Sequence, residues 1–402
     1  EFSDRFGKVE FLAPGFVNFF LKKDFSQKQL EEIYKKRDSF GTSGAGKGKT
    51  VVVEYSSPNI AKPMHVGHLR STVIGDALAN IYEALGYKVI RWNYIGDWGT
   101  QFGKIIELYK KSSIKPDVSD AAKVLEFYVL ANREVEGKEE FKKLEEGTDP
   151  ENKRIWQLFR DQALKDLANK YEELSVVDFD VIKGESDYEL KLKPLIEYLK
   201  KRGIAKESEG ALIIELENLP PAMLQKSDGA TLYMTRDLAS LEDRLTNKEY
   251  GHPSKILYVV ANQQALHLEQ LFAIAKKLGW NDAELAHVKF GMVLGEDGKK
   301  LATREGKVIP LQEVIDKIIA LAEGVVKEKS QKLPKEEADA IAKTVGIGAL
   351  KYNDLKQHPH TDVVFDWKAM LDISGNSGPY LQYTYARMVN IFEKADDRKK
   401  GD

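Results

Sequence analysis

The chain contains no cysteine. Disulfides, thiolate zinc sites and a cysteine nucleophile are therefore excluded, and a reducing compartment fits, with the cytoplasm as the expected location. Also missing are an apolar run long enough to span a bilayer and a basic-then-apolar leader at the N-terminus, so no membrane association is expected. No charge of one sign prevails. With 61 Lys+Arg against 63 Asp+Glu the formal net charge is -2, which neither advertises nor excludes a polyanionic partner, because only local basic patches decide that. No internal repeat is evident. What the sequence does have is 42% hydrophobic residues over 402 positions, enough for a large core and for two or more domains.

Residues 1–49 combine an aromatic stretch from Phe11 to Leu21, a charged helical pattern from Gln27 to Arg37 and a Gly-rich run from Gly41 to Lys49. They read as the end of one unit followed by a linker. From Thr50 the texture changes. Val51, Val52, Val53 and Tyr55 form a continuous run that suits a buried parallel strand. After a loop with Pro58 and Pro63, apolar residues from Leu69 to Leu85 recur at helical spacing. Gly86 closes that helix before a strand at Tyr87 to Ile95. This is one βαβ unit, expected to be right-handed and to bind ligands at the carboxyl ends of its strands.

Between Ile114 and Asp228 the pattern turns helical and charged, from Ala121 to Glu146 and again from Lys153 to Leu174, with a strand-like piece at Ala211 to Leu216. That stretch reads as an insertion. Alternation then resumes with a strand at Leu232 to Thr235, a helix to Leu245, a strand at Ile256 to Val260, a helix to Leu278 and a strand at Val288 to Leu294. After Pro310 the sequence is mostly helical. The expected organisation is a split α/β domain of two halves, 50–114 and 229–309, around an insertion at 115–228, with the remnant and linker at 1–49 and a helical stem at 310–402.

The sharpest local feature is His65-Val66-Gly67-His68, between the first strand and the amphipathic helix. Imidazoles three apart share one face of a first helical turn. A helix N-terminus offers unpaired N–H groups and partial positive charge to an anion, and a glycine there permits close approach. ATP phosphates and adenine suit that geometry; a metal pair or two capping histidines are the alternatives. No third His or carboxylate stands nearby at ligand spacing and no cysteine is available, so no metal site is expected.

The HVGH and its leader Glu54-Tyr55-Ser56-Ser57-Pro58-Asn59-Ile60-Ala61-Lys62-Pro63-Met64 resemble the signature of class I aminoacyl-tRNA synthetases, and the flanking sequence resembles the arginyl enzymes. A second block from Asn93 to Gly103 follows the second strand as in that family. Gly184-Glu185-Ser186, Tyr233 to Asp237, Gln264 to His267 and Gly291 to Gly295 also match, and the resemblance runs from about residue 9 to about residue 395. Only the last strand of the family's N-terminal domain, Phe11 to Leu21, and the start of its anticodon-binding domain, around Gly375 to Arg387, are recognisable.

The resemblance implies a Rossmann-like catalytic domain that activates L-arginine with ATP, Mg²⁺ assisting, and transfers it to tRNA(Arg); a monomer is expected. His65, Gly67 and His68 are the implied catalytic residues. The family's lysine loop corresponds to Lys299 to Gly306 and lacks its second lysine. Lys62, at the position thought to replace it, Lys300 and Arg304 are the implied sources of positive charge. A guanidinium calls for carboxylates that accept its forked donors. By resemblance Asp237, Tyr233 and Glu54 hold it, Asn59 and Gln264 hold the amino and carboxylate end, and Ser56 joins the substrate-binding set. The tyrosines near Arg387 suit tRNA contact and helix packing equally. Two other readings stand: a small-molecule nucleotidylyltransferase, disfavoured by the long insertion, and a non-catalytic or incomplete arginine- or tRNA-binding relative.

Overall fold

The computed structural model describes residues 4–227, 229–299, 301, 309–329 and 333–399. In chain order, β1 (Phe6–Leu12) and β2 (Phe16–Leu21) form an antiparallel hairpin, followed by α1 (Lys23–Lys36). The aromatic stretch expected to be one strand is thus two, because Pro14 and Gly15 turn the chain. Then come β3 (Thr50–Glu54), α2 (Val66–Ala84), β4 (Lys88–Ile95) and α3 (Thr100–Lys111). The charged stretch contains α4 (Ala121–Glu134), α5 (Lys138–Glu146) and α6 (Pro150–Glu173). The first helical run is broken at Gly137, whose φ of 72° suits glycine.

Next are β5 (Val181–Gly184), α7 (Glu189–Lys201), β6 (Lys206–Ser208), β7 (Ala211–Leu216), β8 (Leu219–Gln225) and α8 (Tyr233–Thr246). β9 (Lys255–Ala261), α9 (Ala265–Leu278), β10 (Glu284–Phe290) and β11 (Val293–Leu294) follow. The remainder comprises α10 (Leu311–Lys329), α11 (Lys335–Leu355), β12 (Val363–Val364), α12 (Trp367–Met370) and α13 (Gly378–Lys399). The expected strand at Leu232 to Thr235 is instead the start of α8. A four-residue apolar run carries no period long enough to separate the two states.

The central sheet has the order β10-β9-β3-β4-β5 and every pair in it is parallel. All five residues of β3 are buried. Side chains alternate across it: Val51, Val53 and Tyr55 enter a core shared with α2, α3, α4, α6, α10 and α11, while Val52 enters one shared with α7, α8 and α9. A parallel strand covered on both faces has no polar side, hence the unbroken apolar run. The stretch read as an insertion contributes β5 to the edge of this sheet, and only β6, β7 and β8 form a separate antiparallel sheet. Strand order reverses between β3 and β9, so their carboxyl ends open a crevice where ligands bind in such sheets.

Candidate active site

That crevice holds the histidines. A cavity of about 490 Å³ lies at the carboxyl ends of β3 and β9, lined by His65 to His68, by Gln264 and, on the far wall, by Phe290 to Val293. Its size falls within the roughly 300–1,000 Å³ of small-molecule sites.

His65 is the N-cap of α2. Its Nδ1 accepts the Gly67 N–H at 3.1 Å, and His68 Nδ1 accepts the His65 N–H at 3.0 Å, with the two rings 3.9 Å apart. A ring nitrogen that accepts an N–H carries no proton, so both rings bear theirs on Nε2 and present N–H donors. Burial, with the neighbouring His65, lowers the His68 pKa to about 3. His68 is therefore a neutral donor at physiological pH.

The first amides of α2, expected to be unpaired, are instead bonded within the chain. The N–H groups of Val66, Gly67 and His68 bond to Ile309 O, His65 Nδ1 and His65 O, so the imidazoles take over as donors. Gly67 serves the capping, since a Cβ would lie 3.0 Å from His65 Cε1. The chain that follows the lysine loop stitches this turn down: Val66 donates to Ile309 O at 3.1 Å and Leu311 to Met64 O at 2.9 Å.

The leader is distorted. Ser56 and Ser57 have φ of 66° and 44°, a left-handed pair without glycine, which costs of order 1–3 kcal/mol per residue. Buried hydrogen bonds hold it. Ser56 N donates to Ser71 Oγ at 3.0 Å, Ser57 N to Asn93 Oδ1 at 3.1 Å, and Ser71 Oγ to Val259 O at 2.7 Å. Tyr171, from α6, closes the network: its hydroxyl is 2.8 Å from Ser56 Oγ and accepts from Asn93 Nδ2 at 2.9 Å. Ser56 was expected to bind substrate, yet its hydroxyl is spent on Tyr171 and Thr72. Its side chain positions the leader instead. Replacing Tyr171 by Phe should cost about 1–3 kcal/mol in urea unfolding, the penalty for stranding buried partners; an unchanged midpoint would remove Tyr171 from the support of the site.

The second block and Gly184-Glu185-Ser186 meet at Asp97. This fully buried carboxylate accepts from Ser186 N at 2.9 Å, Ser186 Oγ at 2.7 Å and Arg160 Nε at 2.8 Å. A Cβ on Gly184 would lie 2.1 Å from Asp97 Oδ2, so only glycine fits. The junction fixes Glu185, whose pKa burial raises to about 8, against the opposing charge of Arg236 and with the help of Asp237.

Of the implied guanidinium ligands, Asp237 lies close enough to act on both Glu185 and Glu54. Asp237 lies in the first turns of α8, four residues after Tyr233, and its Oδ2 is 2.5 Å from His267 Nε2. Burial lowers the His267 pKa, but the Asp237 bond and charge outweigh it and leave the pKa raised. Tyr233 is exposed, and the Tyr94 hydroxyl is buried with no hydrogen-bond partner among the described residues. Glu54 was expected to hold a substrate guanidinium. Its buried carboxylate instead lies 2.5 Å from the chain's own Arg244, itself 4.6 Å from the centre of the Trp92 ring. Burial nevertheless raises the Glu54 pKa, against Arg244 and with Asp237.

Asn59 accepts the Ala61 N–H at 3.0 Å and sits beside Gly96. Lys62 is exposed and lines a neighbouring apolar cavity of about 330 Å³ rather than the histidine cavity. Lys300 and Arg304 lie outside the described residues. The residues that sequence reasoning left without a role are Glu185, Tyr171, Tyr94 and His267. Glu185, Tyr94 and His267 stood inside matched blocks; Tyr171 carries no local signal, since its partners Ser56 and Asn93 are 115 and 78 residues away. Among the described residues no group of three or more His, Asp or Glu is disposed to hold a metal ion, and no helix is long and apolar enough to cross a membrane.

A parallel sheet whose crevice carries a paired-histidine cap on the first crossover helix is the nucleotide fold of class I aminoacyl-tRNA synthetases. Residues 29–367 match the family described as tRNA synthetases class I (R), catalytic domain. The arginine–tRNA ligase of Streptococcus suis is 43% identical over 98% of this chain and 71% of its own length. That of Clostridium kluyveri is 44% identical over the same shares. The crystal structure of arginyl-tRNA synthetase from Plasmodium falciparum superposes with a TM-score of 0.80 at 30% identity, covering 97% of this chain and 68% of that one. The Thermus thermophilus structure, at 21% identity and a TM-score of 0.73 over 97% and 71%, shares the fold. The chain belongs to the arginyl-tRNA synthetase family.

Proposed function

We propose that this chain works as an arginine–tRNA ligase through two adjoining subsites: the histidine cavity for ATP, and the Glu185–Asp237 cluster for the arginine side chain. The observation that carries the division is the pairing of two neutral imidazole donors in the crevice with partly uncompensated carboxylates at the neighbouring strand ends. In the first step the arginine carboxylate attacks the α-phosphorus of ATP and pyrophosphate leaves. The ribose hydroxyl at the tRNA 3′ end then attacks the activated carbonyl, and AMP leaves.

No protein nucleophile takes part. The chain positions the reactants and stabilises the charge that builds on the phosphates, for which fixed donors serve well. His65 and His68 donate from Nε2, with Gly67 keeping their cap in place. Lys62, Lys300 and Arg304 supply cations, and Mg²⁺ accompanies the ATP phosphates. Asp237, Glu185 and Tyr233 grip the guanidinium, with Glu54 held beneath them by Arg244. Asn59, with Nδ2 as donor, and Gln264 hold the carboxylate and amino end. The exposed Tyr380, Tyr383 and Tyr385 on α13 offer rings to tRNA.

The test is arginine-dependent exchange of pyrophosphate into ATP, with a panel of amino acids, with and without tRNA(Arg). Exchange specific to arginine is expected; none with any amino acid in either condition would leave a binding protein. The same assay reads the pH dependence. Glu185 is mostly protonated at pH 7, and a bound guanidinium favours its ionised form, so binding releases a proton. The KM for arginine should therefore fall as pH rises towards about 8, by up to about tenfold per unit. Glu185→Gln should flatten that slope.

A further inference from the structure

We infer that Arg70 is a positioning residue that sets the distance between the two walls of the ATP cavity. It lies two residues beyond the HVGH on α2 and is fully buried. Its Nε meets both oxygens of Asp354, on α11, at 3.1 and 3.2 Å. The other arm of the guanidinium reaches the segment 358–365, with one nitrogen donating to Thr361 O at 2.9 Å and the other to Pro359 O at 3.3 Å. Phe290, on the opposite wall, lies under the same guanidinium at 5.7 Å.

That segment in turn carries the far wall. Gly291 N donates to the same Pro359 O at 3.0 Å, Met292 N to Asp362 Oδ1 at 2.7 Å, and β12 pairs with β11 through Val363 N to Met292 O at 2.9 Å. The fit is tight, since a Cβ on Gly291 would lie 2.5 Å from Asp362 Oδ1. One planar fork thus ties the histidine helix, the wall of Gly291 to Val293 and the stem helix into a single unit. Lysine at position 70 keeps the charge but cannot serve a carboxylate and two separate carbonyls in one plane.

The inference rests on ATP occupying this cavity, and arginine-dependent exchange by the unmodified chain tests that separately. With exchange established, Arg70→Lys and Asp362→Ala are expected to raise the KM for ATP about tenfold and leave the KM for arginine within about twofold. Asp362 is exposed, so its variant carries the test if Arg70→Lys does not fold. Lys351→Ala is the control. Lys351 ties the same two helices through Asp76 at 3.6 Å and holds the Leu174 and Ser175 carbonyls, without touching the segment 358–365. It should lower the melting temperature with no ATP-selective change. Equal increases in both KM values, no change in either, or the ATP-selective pattern in Lys351→Ala would overturn the assignment.

Discussion

Asp237→Asn is expected to raise the KM for arginine by roughly a hundredfold or more while the KM for ATP stays near its original value. The substitution preserves volume and leaves a hydrogen-bonding group beside His267, so the fold of α8 should survive. What disappears is the charge that meets a guanidinium in a partly buried site. Removing one partner of such a pair strands the other, at about 3–5 kcal/mol, and each 1.4 kcal/mol is about a factor of ten. Asp237 also repels two acidic groups, raising the pKa of both Glu54 and Glu185. Loss of Asp237 should therefore stabilise the chain slightly without ligand. Steady-state exchange kinetics and a melting curve together make the check. An unchanged KM for arginine would exclude Asp237 from the substrate pocket.

His68→Ala should cut the exchange kcat by about 10²–10³-fold, the usual cost of deleting one preorganised donor to developing charge. Because the bond from His65 N–H to His68 Nδ1 is also lost, about 1 kcal/mol of capping should go with it. A second signature follows from protonation. His68 titrates near 6.5 when unfolded and near 3 when folded, so between those values the unfolded chain binds more protons. The stability due to neutral His68 is fully present above pH 6.5 and is lost as pH falls towards 3. The variant should lose less stability than the parent on acidification from pH 7 to pH 4. Full exchange activity in His68→Ala would end the donor assignment.

Periodicity and signature made much of the fold legible. The run Val51 to Val53 suited a strand covered on both faces, and the helical spacing from Leu69 onward gave α2 to within a few residues. What was not legible was long-range: that β5 crosses out of the charged stretch to join β4, and that Leu232 to Thr235 begins a helix. The site divides in the same way. His65 and His68 stand in one motif, whereas the spent amides of α2 depend on Ile309, and the occupation of Glu54 depends on Arg244, 190 residues away in sequence. Local pattern names which residues gather; only packing shows which of them are already engaged by their own chain.

The strand order has a further consequence, for synthesis. β3 pairs with β9, which leaves the ribosome roughly 200 residues later. At about 5–20 residues per second, one edge of this fully buried strand stays without its neighbour for about 10–40 s. During that interval the nascent chain exposes a row of unpaired backbone groups that templates pairing with other chains. The delay is inherent in a domain whose two halves are separated by so long an excursion. Mutations that slow the docking of β9 should therefore show first as lost soluble yield, before any change in the melting temperature of the finished protein.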